Sequence, residues 1–154
     1  MPKIDLDTIE QTCTTGYPPP FDRDVAGRHY RRLGPAFRLT DFGVSEVTLD
    51  PGAWSSQRHW HDGEDEFLVM IDGEAVMIED EGRTIMRSGD MVAWAKGVRN
   101  GHHLVNESDT PCRFVVVGGG KCTWGEYSDI DMTFNADGRY RRKDGTPYSA
   151  PPSS

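Results

Sequence analysis

Short apolar runs, separated at close intervals by glycine-containing turn signals, fill the middle of this sequence. Asp72-Gly73 is the clearest of these signals, because it lies between FLVMI and EAVMI and is a residue pair typical of a two-residue β-hairpin. Similar signals follow at Glu81-Gly82 and Ser88-Gly89. Apart from a short helix expected near residues 5–11, no long stretch has helical periodicity. The pattern predicts an all-β fold, either a sandwich or a small barrel.

The apolar runs also give the positions of the expected strands. These are residues 36–39, 42–49, 67–71, 74–78, 84–86, 91–94, 102–106 and 112–117, with one further half-buried strand at 128–134. We therefore predict a β-domain at residues 36–120, an N-terminal extension at 1–35 and a C-terminal extension at 121–154 with a frayed tail. The prolines at 18–20 favour an extended segment. The glycines at 118–120 are expected to end a strand rather than to bind phosphate.

Length, charge and cysteine content limit the class of protein. The 154 residues suit one domain. The net charge of −8 would repel a phosphate backbone or an anionic bilayer, so we expect neither nucleic acid nor a membrane as a partner. The three cysteines have no metal-binding spacing, and the N-terminus does not resemble a signal peptide. A reduced, cytoplasmic protein is the simplest expectation.

The stretch HWHDGEDEF at residues 59–67 contains the first candidate metal ligands. Side chains at i and i+2 of a strand point to the same side, so His59 and His61 face together. Glu66 begins the next apolar run and would add a carboxylate, whereas Glu64 and Asp65 are expected to be solvated. A second histidine pair follows at 102–103, of which only one member can face inward. The candidate metal ligands are His59, His61, Glu66 and His102.

Other residues near these segments have simpler interpretations. His29 is expected to be exposed, and His103 to lie at a pocket rim or outside. Trp54, Trp60 and Trp94 are more often core or interface residues than substrate platforms. Arg58 and Arg99 could hold a substrate carboxylate or phosphate, although exposed arginines without a ligand are the simpler expectation.

The spacing of these residues resembles the cupin family. Gly52, His59-x-His61, Glu66 and Gly73 look like the first cupin motif; the second is matched by Gly89-Asp90, Gly97 and His102-x-x-x-Asn106. The resemblance covers residues 42–118 and implies a single antiparallel β-barrel of jelly-roll type that binds one divalent metal through His59, His61, Glu66 and His102. The second motif carries a two-residue insertion, which leaves His103 as an alternative to His102. The four-residue step to Asn106 favours His102.

A site with these ligands does not determine which reaction the protein catalyses. Three imidazoles and one carboxylate suit Zn, Mn, Fe or Ni and leave coordination positions for a small polar molecule. We expect a small metal-dependent enzyme, with oxygenase, isomerase and lyase chemistry all open. The alternative is a non-catalytic cupin that binds or senses a small molecule. A homodimer is also expected, because a single barrel of this size leaves open sheet edges.

Overall fold

The computed structural model describes residues 3–121 and 123–148. It contains a 3₁₀ turn at Leu6–Thr8, a short helix α1 at Leu33–Ala36 and twelve strands within the described ranges. The strands are β1 Arg28–Arg32, β2 Phe42–Leu49, β3 His59–His61, β4 Glu64–Asp72, β5 Glu74–Glu79, β6 Gly82–Arg87, β7 Met91–Trp94, β8 His103–Val105, β9 Cys112–Gly120, β10 Trp124–Tyr127, β11 Thr133–Asn135 and β12 Tyr140–Arg141. The tail that was expected to fray, residues 149–154, lies outside the described residues.

The strands form three antiparallel sheets. The main sheet has the order β1-β2-β9-β4-β7, the small sheet β6-β5-β8 and the terminal sheet β12-β11-β10-β3. Every strand pair is antiparallel, which confirms the all-β prediction. The expected single barrel is confirmed only in part, because no sheet among the described strands closes on itself. In the described part of the chain, no helix is long and apolar enough to cross a bilayer.

The larger hydrophobic core lies between the main sheet and the small sheet. Leu68 and Met70 of β4 and Phe114 of β9 face Met77 of β5 and Leu104 of β8, and all five are buried. Alternation explains this arrangement on β4, where the intervening Phe67 and Ile71 are exposed. Burial of such side chains stabilises the fold by about 1.5–3 kcal/mol each. The core therefore fixes the register of the strands that carry the candidate ligands.

A second core joins the two ends of the chain. Tyr17 and Val25 from the N-terminal segment pack with Tyr127, Met132 and Phe134. Tyr127 lies on β10, Phe134 on β11 and Met132 in the turn between these strands, and β10 pairs directly with β3. The C-terminal extension is therefore part of the structure around the first two candidate ligands.

Two strand predictions are wrong. Residues 36–39 are not a strand: the Phe37 amide donates to carbonyls of α1, Arg38 has a φ of 57°, and Phe37 and Leu39 are exposed. Residues 128–132 form the turn between β10 and β11, closed by the Tyr127 amide donating to Met132. The predicted strand at 128–134 therefore begins only at Thr133, although its apolar side is buried as expected.

Other local predictions have mixed outcomes. The glycines at 118–120 do end a strand, and a short 3₁₀ turn lies where a helix was expected. The prolines at 18–20 are not fully extended, because the Phe21 amide donates to the Pro18 carbonyl and closes a turn. Sequence reasoning missed three strands, β1, β10 and β12.

Candidate metal centre

Strand β3 holds two of the candidate ligands at its ends. It pairs with β10 along one edge, and the backbones of His59 and His102 exchange hydrogen bonds on the other. The intervening Trp60 points away and is buried. Alternation thus places the His59 and His61 imidazoles on one face, as the sequence predicts.

The structure brings the four predicted side chains together. The Nε2 atoms of His59 and His61 are 3.0 Å apart, and the His61 Nε2 is 3.6 Å from the Glu66 Oε2. One ligand atom from each of these three residues lies within 4.8 Å of the others, close enough to hold one metal ion. The His102 Nε2 is 3.0 Å from the Glu66 Oε2. The role of His102 as a fourth ligand stays a prediction.

The hydrogen bonds behind the imidazoles set their protonation. The Nδ1 atoms of His59 and His102 lie 2.8 Å and 3.1 Å from the carbonyl oxygens of Gln57 and Asn100. A carbonyl oxygen only accepts, so each Nδ1 carries the proton and each Nε2 of a neutral ring keeps a lone pair. In a neutral His102 ring the Nε2 would direct a lone pair at the Glu66 carboxylate, whereas without an ion a proton between these two atoms forms the 3.0 Å hydrogen bond. Atoms that all accept are satisfied by a shared cation, so this donor set fits a divalent metal.

Electrostatics favour the same protonation states. Burial, followed by the neighbouring His61, lowers the pKa of His59 from 6.5 to about 3. Burial by itself raises the pKa of Glu66, but the hydrogen bond with His102 and the surrounding imidazoles lower it to about 2. At neutral pH, His59 is neutral and Glu66 is ionised, which are the forms that bind a cation.

Aromatic rings hold the imidazoles in position. Trp94 stacks on His102 with ring centroids 3.8 Å apart and planes inclined by 5°. Its indole nitrogen donates to Glu79 at 2.7 Å, which fixes the ring. Phe134 packs edge-on against both His59 and His61. Trp94 therefore does more than fill the core, and Phe134 is a neighbour of the cluster that sequence reasoning missed.

The cluster opens into a cavity of about 570 Å³. Arg28, Tyr30 and Arg32 of β1 line this cavity together with His103. Sequence reasoning missed the three β1 residues, although their i, i+2, i+4 spacing in RHYRR is the signal that places them on one strand face. The cavity is therefore polar at the cluster and also along β1.

Several secondary candidates have structural roles. Arg58 is not exposed as expected: its side chain is 14% exposed and pairs with Asp80 and Asp129. Arg99 is exposed and lies over the Trp60 ring. Trp54 packs edge-on against His103. His29 is partly exposed and pairs with Asp50.

The predicted exposure is correct for only one of three further residues, Glu64, Asp65 and His103. Asp65 is exposed as expected. Glu64 is more enclosed than expected, and its Oε2 lies 3.5 Å from the His61 Nδ1. His103 does line the cavity, but it is buried and its Nδ1 donates to the Ser56 carbonyl at 2.8 Å.

Comparison with known proteins identifies relatives. A family model described as a cupin domain matches residues 45–118. A crystal structure from Silicibacter pomeroyi, described as a sugar phosphate isomerase from a cupin superfamily, is 43% identical, covers 97% of this chain and 98% of its own, and has a TM-score of 0.90. No curated protein matches the sequence.

More distant structures share the fold. A polyketide cyclase from Streptomyces resistomycificus is 18% identical, with a TM-score of 0.62 and coverage of 77% of this chain and 79% of its own. A cupin 2 conserved barrel domain protein from Salinispora arenicola is 21% identical, with a TM-score of 0.55 and coverage of 77% and 87%. These two structures show the fold alone. The Silicibacter relative and the matched domain show that this chain belongs to the cupin superfamily.

Proposed function

We propose that this protein is a metal-dependent enzyme that isomerises a small phosphorylated sugar. The observation that carries the proposal is the cluster of His59, His61 and Glu66, whose ligand atoms converge beside a cavity that arginines of β1 also line. The Silicibacter relative, which is described as a sugar phosphate isomerase, supports the choice of isomerisation over oxygenase or lyase chemistry.

The proposed ligands are His59, His61, Glu66 and His102. A divalent Zn, Mn, Fe or Ni ion held by these residues would supply the Lewis acidity that isomerisation of a sugar carbonyl requires. The backbone carbonyls of Gln57 and Asn100 hold two of the rings through their Nδ1 atoms, and Trp94 fixes His102 by stacking. These contacts orient the ligands before an ion arrives, so that little reorganisation accompanies binding.

His103 is our candidate for the proton-transferring group. Isomerisation moves a proton between adjacent carbons, and a general base must lie in the cavity beside the substrate. The His103 Nδ1 donates to the Ser56 carbonyl, so its Nε2 is the acceptor nitrogen of a neutral ring that lines the cavity. Trp54 packs edge-on against the ring and limits its rotation.

Metal binding is the first test. We expect about one divalent ion per chain in untagged protein, measured by elemental analysis, because the cluster offers one convergent set of donors. Glu66→Gln removes the carboxylate charge with little change in shape and should lower metal affinity by about 10-fold or more. The same chemical change at exposed Glu107, which pairs with Arg83 on the surface, should leave the metal content unchanged. Equal metal content in wild type and Glu66→Gln would overturn the ligand assignment.

Turnover is the second test. Metal-loaded protein should interconvert an aldose phosphate and its ketose, followed by NMR. His103→Gln should lower kcat by about 100-fold or more while the metal content stays at the wild-type level, because the imidazole transfers a proton and is not a proposed ligand. Tight sugar phosphate binding without product would instead support the non-catalytic cupin. Unchanged kcat in His103→Gln would exclude His103 as the base.

We also propose a homodimer that forms through the outer face of the main sheet. Phe67 and Ile71 of β4 and Met91 of β7 are 40%, 41% and 66% exposed on this face. Apolar side chains that lie together on an exposed sheet are typical of a protein interface. The sequence analysis expected a dimer because of open sheet edges. The structure supports a dimer for a different reason, since the exposed apolar side chains lie on the face of a sheet.

A further inference from the structure

Strand β1 presents two arginines to the cavity without a carboxylate partner. Its alternate residues Arg28, Tyr30 and Arg32 pair in register with Leu49, Val47 and Ser45, whose side chains face the inside of the main sheet. Within residues 3–121 and 123–148, neither arginine forms an ion pair with an acidic side chain.

The opposite face of the same strand shows what an ordinary pairing looks like. His29 lies 2.9 Å from Asp50, and Arg31 lies 3.0 Å from Glu46, which is buried. Each cationic or potentially cationic residue on that face therefore has a carboxylate beside it. The contrast matters because the chain carries a net charge of −8, so that acidic partners are abundant. The two unpaired arginines are confined to the face that lines the cavity.

Arg28 is held in place and retains an unused donor. One terminal nitrogen donates to the Ser55 carbonyl at 2.7 Å, whereas the Nε is buried and has no hydrogen-bond partner among the described residues. Both guanidinium groups lie near the Tyr30 ring, at 5.5 Å and 5.2 Å from its centre. The buried Nε is out of reach of a ligand, but the other terminal nitrogen also has no hydrogen-bond partner among the described residues and is the donor that an anionic ligand in the cavity would use.

The acidic and the basic residues that line the cavity lie on different strands. Glu66 is the one acidic residue among the described residues that line the cavity, and it lies in the imidazole cluster. The β1 side carries Arg28 and Arg32 with the hydroxyl-bearing Ser45 and Thr14 nearby. A molecule bound in this cavity could therefore contact both the proposed metal ligands and the unpaired cations of β1.

We propose that Arg28 and Arg32 form the subsite that binds the phosphate group of the substrate. This inference rests on the proposed function, because it assumes that the substrate reaches the metal cluster with its other end. A guanidinium group binds phosphate through two parallel hydrogen bonds. Two guanidinium groups therefore suit the two negative charges of a phosphate better than the single charge of a carboxylate. The two arginines are specificity-determining residues and have no part in the chemical step.

Inorganic phosphate is the probe, titrated into metal-loaded protein by calorimetry. Arg32→Gln should weaken phosphate binding by about 10-fold or more, since Arg32 is exposed and its loss leaves the fold intact. Arg28→Lys keeps the charge but loses the fork of donors, and should also weaken binding. Arg23→Gln, an exposed arginine outside the cavity, is the matched control and should bind phosphate as wild type does.

Two further experiments test whether phosphate binds at the metal ligands instead and whether another anion binds as well as phosphate. Glu66→Gln should retain phosphate binding, and loss of binding in that variant would place the phosphate at the metal and overturn the subsite. Malonate should bind more weakly than phosphate, and the reverse order would overturn phosphate as the ligand class. Equal phosphate affinity in wild type, Arg32→Gln and Arg28→Lys would overturn the proposal. If phosphate binds as expected but no sugar phosphate is isomerised, the proposed function fails and the subsite stands.

Discussion

The buried side-chain amide of Asn106 hydrogen-bonds to three other residues. It is fully buried, and its Nδ2 donates to the carbonyls of Leu49 and Thr110 at 2.9 Å and 2.8 Å. Its Oδ1 accepts from both the amide and the hydroxyl of Ser108. One side chain thus joins the end of β2 to the loop before β9, close to the strand that follows His102.

We expect Asn106→Ala to lower the free energy of unfolding by about 2–4 kcal/mol, because it leaves buried carbonyls without a donor. Urea denaturation followed by circular dichroism measures the change. Asn135→Ala is the control: Asn135 is partly buried and its side chain makes no hydrogen bond within the described residues. A similar loss in both variants would show that the amide network is not the cause.

Strand alternation is the reason that single residues of the site could be predicted from the sequence. It put His59 and His61 on one face, and their ligand atoms do lie together with that of Glu66. It also separated His102 from His103, but both are buried and both line the cavity. The same rule could not reveal Arg28 and Arg32, because β1 contains no apolar run and was not recognised as a strand. Partners distant in sequence, such as Phe134 beside His59, depend on sheet pairing that no local pattern encodes.

At the level of elements, the contact between β3 and β10 depends on a glycine. A Cβ at Gly125 would lie 2.1 Å from the Phe134 ring and 2.6 Å from the Trp60 carbonyl oxygen. Gly125 pairs with His61 in register, so an added methyl group would push apart the strand that carries two proposed ligands. No side chain larger than hydrogen fits there without movement of a ring or of the backbone.

We expect Gly125→Ala to destabilise the fold by about 1–3 kcal/mol and to weaken metal binding, because the overpacked methyl group displaces β3. Thermal unfolding with and without added metal tests both effects. Gly119→Ala on β9 is the matched control, since its Cβ would meet only Phe42 at 3.9 Å. Wild-type metal affinity in Gly125→Ala would show that β3 keeps its position without a close contact to β10.

Turn signals predicted where strands end, but not always which strands pair. Asp72-Gly73 marks the junction of β4 and β5, and Gly73 has a positive φ of 74°, but the predicted hairpin between these strands is wrong, because β4 and β5 lie in different sheets and do not pair. Glu81-Gly82 does accompany a hairpin, which joins β5 to β6. Residues 36–39 alternate like a strand, yet the helical turn before them already uses the Phe37 amide. Hydrogen bonds that begin outside a segment thus decided its structure.

For the whole molecule, the exposed apolar face of the main sheet leads to a prediction about assembly. We expect wild-type protein to sediment as a dimer at micromolar concentration. Met91→Lys should shift it to a monomer, because a charge on this face must be desolvated in the interface. Val98→Lys changes an apolar side chain that is 53% exposed in a loop, and should leave the dimer intact. A wild-type monomer, or a dimer unaffected by Met91→Lys, would contradict the proposed interface.

The pairing of β3 with β10 has a consequence for biosynthesis. The two imidazoles of β3 leave the ribosome early, but the strand that borders them is translated only after β4 to β9. A nascent chain that stops before Trp124 therefore lacks one wall of the ion site. The proposed metal centre would then be enclosed only after β10 has been made, and the ion bound would depend on those available to the finished chain.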